Sequence, residues 1–146
     1  MVGVVLIAPV IPPQTALHEL IQAIRTAPRQ VLTPHDLQII YSTCIIGAAG
    51  RIHDRPVLAT LNWPTDTRLA IRCTYDGVLL VRHSDHGTAH VTGGYFRVPF
   101  RQRRQANLNI GDKVLLVAQP ENQQLAIYPP PMLHALLGNH LRSLES

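Results

Sequence analysis

Cysteine, lysine and long apolar runs are scarce in this chain, and the familiar catalytic motifs are missing. The two cysteines, Cys44 and Cys73, lack CxxC or other zinc-ligand spacing, which argues against a disulfide scaffold and a zinc module and leaves two reduced core thiols. The apolar opening "MVGVVLIAPVIPP" has no basic flank and no A-x-A site, and it is too short to span a bilayer. No membrane partner is therefore expected, and a cytoplasmic, nucleoid-associated location is. GxSxG, P-loop, HExxH and GxGxxG patterns are absent, as are paired carboxylates, so neither an enzyme nor a cofactor protein is expected. The polar stretch "HSDHGTAH" gathers His83, Asp85, His86 and His90, but its spacing matches no compact metal motif; it reads as a linker, and no metal site is assigned.

What the chain does have is apolar content and arginine. With 46% hydrophobic residues, its 146 residues suffice for one compact domain or two very small ones. All but one of the thirteen basic residues are arginine, the side chain suited to bidentate contact with phosphate and guanine. The net charge of +4 is compatible with a polyanionic partner, but only 15% of residues are charged, so position must carry more of the argument than charge.

Leu17, Leu20, Ile21 and Ile24 recur at helical spacing between a Thr15 cap and Pro28, which predicts an amphipathic helix within an N-terminal segment, residues 1–37. "IIYSTCII" predicts a strand over about 39–46. Short apolar runs then follow, "RLAIRC", "VLLVRH", "AHVT", "YFRVP", "KVLLVA" and "LAIY", separated by turn compositions such as "YDG", "GG" and "IGD". A C-terminal helix and tail are expected over 130–146, with Pro131 at the helix start and Gly138 as its stop.

The hairpins repeat. "GRIHDRPVLATLNWPTDTRLAIRCTYDGVLLVRH" from Gly50 aligns with "GYFRVPFRQRRQANLNIGDKVLLVAQPENQQLAIYP" from Gly94, at an offset that drifts from 44 to 46. Trp63 then meets Leu108, Leu69 meets Val114 and Leu79 meets Leu125, which makes Trp63 a core residue. Tyr75, Tyr95 and Tyr128 are expected to pack at the rim.

The basic residues concentrate in the later copy. In "YFRVPFRQRRQANLNIGDK" the alternation sends Phe96 and Val98 to one face and Tyr95 with Arg97 to the other. Pro99 starts a helix on which Arg101 and Arg104 share a face, and no acid occurs between Asp85 and Asp112. A phosphate contact explains Arg97, Arg101, Arg103 and Arg104 better than a solvated face of mixed sign does. For Arg51, His53 and Arg55 the two readings balance, because Asp54 intervenes.

"GGYFRVPFRQRRQANLNIGDKVLLV" resembles the AbrB, MazE and SpoVT group of swapped-hairpin DNA-binding domains. The resemblance rests on Gly94, the Tyr95–Val98 strand, Pro99, Arg103 with Arg104, Leu108, Gly111 with Asp112, and Val114–Val117. The earlier copy keeps Gly50-Arg51-Ile52, the helix apolars Val57, Leu58 and Leu61, and Trp63 in the Leu108 place. The resemblance implies a mainly β fold with short helices: a swapped-hairpin barrel over 38–129, fused from halves of about 38–84 and 88–129. It also implies a DNA-binding transcriptional regulator that contacts double-stranded DNA through Arg51, Arg55, Arg97, Arg101, Arg103 and Arg104, and it leaves room for a homodimer or higher oligomer. The copies depart from the family in different places. Tyr95 stands where the family has arginine, and the Arg-Arg pair falls on Ala59 and Thr60 in the earlier copy, so the implied site is asymmetric. The alternative is an interaction or oligomerisation module, an antitoxin included, that kept the barrel and lost DNA binding.

Overall fold

A computed structural model describes residues 38–145; the amphipathic helix expected over 15–27 lies outside them. The chain runs β1 (Ile40–Ile45), β2 (Arg51–His53), α1 (Arg55–Leu61), β3 (Arg68–Cys73), β4 (Leu79–His83), β5 (Ala89–His90) and β6 (Tyr95–Arg97). It continues through α2 (Phe100–Gln105), β7 (Lys113–Gln119), β8 (Gln124–Tyr128) and α3 (Pro130–Leu144). The fold is mixed but mainly antiparallel sheet. Over the described residues the strands, α1 and α2 lie in one compact unit that ends at Leu133, and the chain from His134 on is assigned to a second unit.

Six strands form one sheet in the order β1-β7-β8-β4-β3-β5, while β2 and β6 form a separate two-stranded ribbon. The ladder is open, with β1 and β5 at its edges, so the closed barrel expected from the sequence is not what the described residues form. Strand length accounts for this. β5 has two residues and β2 and β6 have three each, too few ladder bonds to bridge the edges of the larger sheet.

The pairing is unchanged when each strand up to β4 is exchanged with its counterpart four strands later. Under that exchange β1 becomes β5, β3 becomes β7 and β4 becomes β8, and the strand order reads the same backwards. The registers obey it too. Leu79 pairs with Ile127 and Val81 with Leu125, which centres the exchange on the Leu80–Ala126 pair. In the ribbon Arg51 pairs with Arg97 and His53 with Tyr95, about the central Ile52–Phe96 pair. Each edge strand crosses over: β1 pairs only with β7, and β5 only with β3.

Period-two burial builds the core. Leu69, Leu79, Val81, Val114, Leu116, Leu125 and Ile127 are fully buried, and Ile52 and Phe96 join the same cluster from the ribbon. Burying a side chain such as Phe96 contributes about 1.5–3 kcal/mol. Val57, Leu58 and Leu61 of α1 belong to the same cluster, as do Ala106 and Leu108 just beyond α2. Trp63 is buried as expected, and its indole Nε1 donates to Gln123 Oε1 at 2.9 Å. Two expectations need correction. Tyr75 is fully exposed at the β3–β4 turn rather than packed at a rim, because that turn projects beyond the sheet. The C-terminal helix passes through Gly138 and ends at Leu144, since an interior glycine costs only about 1 kcal/mol and "NHLRSL" sustains the helix beyond it.

Candidate nucleic-acid interface

The ribbon sets the site. Because Ile52 and Phe96 point into the core, alternation forces Arg51 and His53 of β2, and Tyr95 and Arg97 of β6, onto the opposite face. Arg51 and Arg97 are direct cross-strand partners, an arrangement that is unfavourable for like charges. Tyr95 offsets part of the repulsion. Its ring centre lies 4.4 Å from the Arg51 guanidinium carbon and 5.5 Å from that of Arg97, within cation–π range of both, and His53 stands 6.3 Å from it, ring centre to ring centre.

The strands are short because each runs straight into a helix. Asp54 accepts a hydrogen bond from the Val57 amide at 3.0 Å, which caps α1, and another from Ser42 Oγ at 2.6 Å, which ties the cap to β1. At α2 the cap position is Pro99, whose side chain accepts no hydrogen bond. There Arg103 bonds back instead, its Nε donating to the Val98 carbonyl at 3.0 Å.

Two glycines let the helices approach the ribbon. A Cβ on Gly50 would lie 2.4 Å from the Val98 carbonyl oxygen and 2.7 Å from Arg103 Nε, and one on Gly94 would lie 2.7 Å from Arg55 Cγ. Arg103 therefore lies over the turn that leads into β2, and Arg55 over the turn that leads into β6. Both glycines also have positive φ, 81° and 87°.

The six sequence-predicted arginines are thus not equivalent. Arg55, Arg97, Arg101 and Arg104 are exposed, whereas Arg51 is half-buried beneath Tyr95 and Arg103 is half-buried in its backbone bond. Among the described residues no carboxylate pairs with any of the six. Arg97 and Arg103 line one groove with Tyr95 and Phe100, which joins the ribbon to α2. Arg101 does not line that groove, and its tie to the set is through its place on α2 alone.

Sequence reasoning missed the aromatic component. Phe100 is 62% exposed, and the guanidinium carbons of Arg103 and Arg104 stand 5.5 and 5.7 Å from its ring. A phenylalanine directly after the strand-ending proline, among arginines and outside the buried alternation, was the available signal. Two clefts, each between a helix and the turn that follows it, are related by the exchange. One holds Phe100, Arg104, Asn107 and Ile110; the other holds Arg55, Ala59, Asn62 and Thr65 at positions 45 residues earlier.

Burial raises the Cys44 thiol pKa to about 11, assisted by the Asp54 carboxylate, and both cysteines are free. No helix among the described residues is long and apolar enough to cross a membrane. No family model, curated protein or solved structure matches this chain.

Proposed function

We propose that this protein is a DNA-binding transcriptional regulator of the swapped-hairpin AbrB, MazE and SpoVT type, with both halves fused in one chain and acting in the cytoplasm. The crossed pairing of β1 with β7 and of β5 with β3 supports the architecture, because each half lends an edge strand to the other. The observation that carries the function is the outward face shared by the ribbon and α2. It gathers Arg97 and Arg103 in one groove with Tyr95, on which Arg51 stacks, and carries the exposed Arg101 and Arg104 on the same helix, with no paired carboxylate among the described residues. A duplex supplies what that face lacks: phosphates relieve the repulsion between Arg51 and Arg97, and exposed guanidinium forks suit base edges in the major groove.

Fluorescence anisotropy with labelled genomic duplexes, titrated at 50 and 200 mM salt, tests the reading. If four phosphates are contacted, log affinity falls with log salt at a slope of about −3.6. Absence of binding at 50 mM salt overturns the reading. A protein-interaction role would use a different surface, the edge strand β1, where Tyr41 and Ile45 are 58% and 63% exposed.

A further inference from the structure

We infer that the DNA contact is lopsided: the end of the ribbon that carries Arg51, Arg97 and α2 supplies most of the binding, and each chain reads a non-palindromic site. The inference rests on the DNA-binding reading above.

The two ends are related by the same exchange that leaves the strand pairing unchanged, so they can be compared position by position. At one end Arg51 faces Arg97; the exchange carries this pair onto Tyr95 and His53 at the other end. Beyond Arg97 the chain passes the uncharged Val98 and enters α2, with Arg101, Arg103 and Arg104. Beyond His53 it passes Asp54, a carboxylate fixed by its cap, and enters α1, whose only cation is Arg55. By backbone position five of the six arginines therefore stand at one end, with Arg51 and Arg97 reaching from it over Tyr95, and the single acid of the two junctions stands at the other.

The clefts differ in the same sense. The clefts superpose the helices 45 residues apart, so the Arg-Arg pair falls on Leu58 and Ala59 rather than on Ala59 and Thr60 as the sequence alignment had it; Arg104 answers to Ala59, Phe100 to Arg55 and Ile110 to Thr65, while Asn107 and Asn62 are shared. Phe100 and Ile110, 62% and 50% exposed, give the richer cleft an apolar surface for thymine methyls or an unstacked base step, which the poorer cleft lacks. A backbone whose two arms carry equal phosphate charge meets unequal cation sets. Phosphate contacts set how strongly each end binds but carry no sequence information, so the unequal arms come from the clefts: one offers Phe100, Arg104 and Ile110 to base edges where the other offers Arg55, Ala59 and Thr65.

The test uses the full chain and a duplex selected from a random library, with anisotropy read across 50–200 mM salt. The side chains of Arg101 and Arg104 are exposed and donate no hydrogen bond among the described residues, so R101A/R104A removes charge at the cost only of the Arg104–Phe100 contact, and thermal melting checks that the fold is kept. The double variant is expected to reduce the salt slope by about 1.8 and to cost tenfold or more in affinity at 50 mM salt. R55A is expected to cost less than threefold. Ala59 is exposed on α1, and A59R is expected to tighten binding threefold or more by adding a cation at the poorer end. Equal losses from R55A and R101A/R104A, or a selected sequence whose two arms match within the footprint of one chain, overturn the inference while the DNA-binding reading stands. No binding by the unaltered protein overturns both.

Discussion

Arg51 and Tyr95 occupy neighbouring positions on the two strands of the ribbon, with the guanidinium carbon 4.4 Å from the ring centre. The contact holds a cation opposite another cation, Arg97, that would otherwise push the strands apart. Tyr95→Leu removes two cation–π contacts and is expected to destabilise the fold by about 1–2 kcal/mol, most strongly at low salt. Tyr95→Phe keeps the ring and should fall within about 0.5 kcal/mol of the parent. Urea unfolding at two salt concentrations checks both.

The turn into β2 holds a matched pair of substitutions with opposite signs. Gly50→Ala sets a Cβ 2.4 Å from the Val98 carbonyl oxygen at a φ of 81°, and the expected loss is about 2–4 kcal/mol. Ala49 has φ 59° and ψ 23°, left-handed geometry that costs an alanine about 1–2 kcal/mol. Ala49→Gly relieves it and gives back part through the freer unfolded chain, for a net gain of about 0.5–1 kcal/mol by thermal or urea unfolding.

Gln123 joins the two halves through its amide. Its Oε1 accepts from Trp63 Nε1, and its Nε2 donates to the carbonyls of Leu61 and Pro120 at 2.9 and 3.0 Å. Gln123→Ala leaves the buried indole N–H and the Leu61 carbonyl without these partners, and the expected loss is about 2–3 kcal/mol. A blue-to-red shift of the single tryptophan's emission on unfolding makes the midpoint directly readable.

Cys44 gives a pH dependence of definite sign. Its thiol titrates near 11 in the fold and near 9.0 in the unfolded chain, because burial disfavours the thiolate and Asp54 repels it. The folded state therefore holds the proton more tightly. This contribution to stability is complete below pH 9 and is lost as pH rises toward 11. Cys44→Ala should flatten that part of the stability profile. At pH 8 Cys44 should react with a disulfide reagent more slowly than Cys73, whose thiol is also raised but less enclosed.

Local periodicity carried much of this architecture in the sequence. The strand expected over 39–46 forms at Ile40–Ile45, and Phe96 and Val98 are buried while Arg97 is exposed, as period-two alternation requires. Trp63 sits in the core as its alignment with Leu108 in the repeat implied, and Leu108 is buried as well. The roles of Arg51 and Arg103 were not, because both depend on contacts between distant segments. Arg103 is held by Val98 and covers Gly50, and nothing within either segment signals that they meet. The open ladder was hidden as well, since it turns on strand lengths of two or three residues, below what composition resolves. Tyr75 and Gly138 show the other limit: a lone tyrosine or glycine fits more than one local structure, and only its surroundings decide.

The crossed strands also fix an order of events during synthesis. Ile40 finds its partner in Ala118, and Ile45 in Lys113, so β1 leaves the ribosome long before β7 exists. The hairpin of β3 and β4 can close early on local contacts, but β8, which completes the centre of the sheet beside β4, comes almost last. Until β7 emerges β1 lacks the partner that covers one of its two edges in the finished sheet, and a stalled or truncated chain keeps that second edge open to a neighbour as well. Cutting the gene after β6 should therefore yield an aggregating fragment rather than a half-protein, while supplying the missing strands as a separate chain should restore a soluble pair.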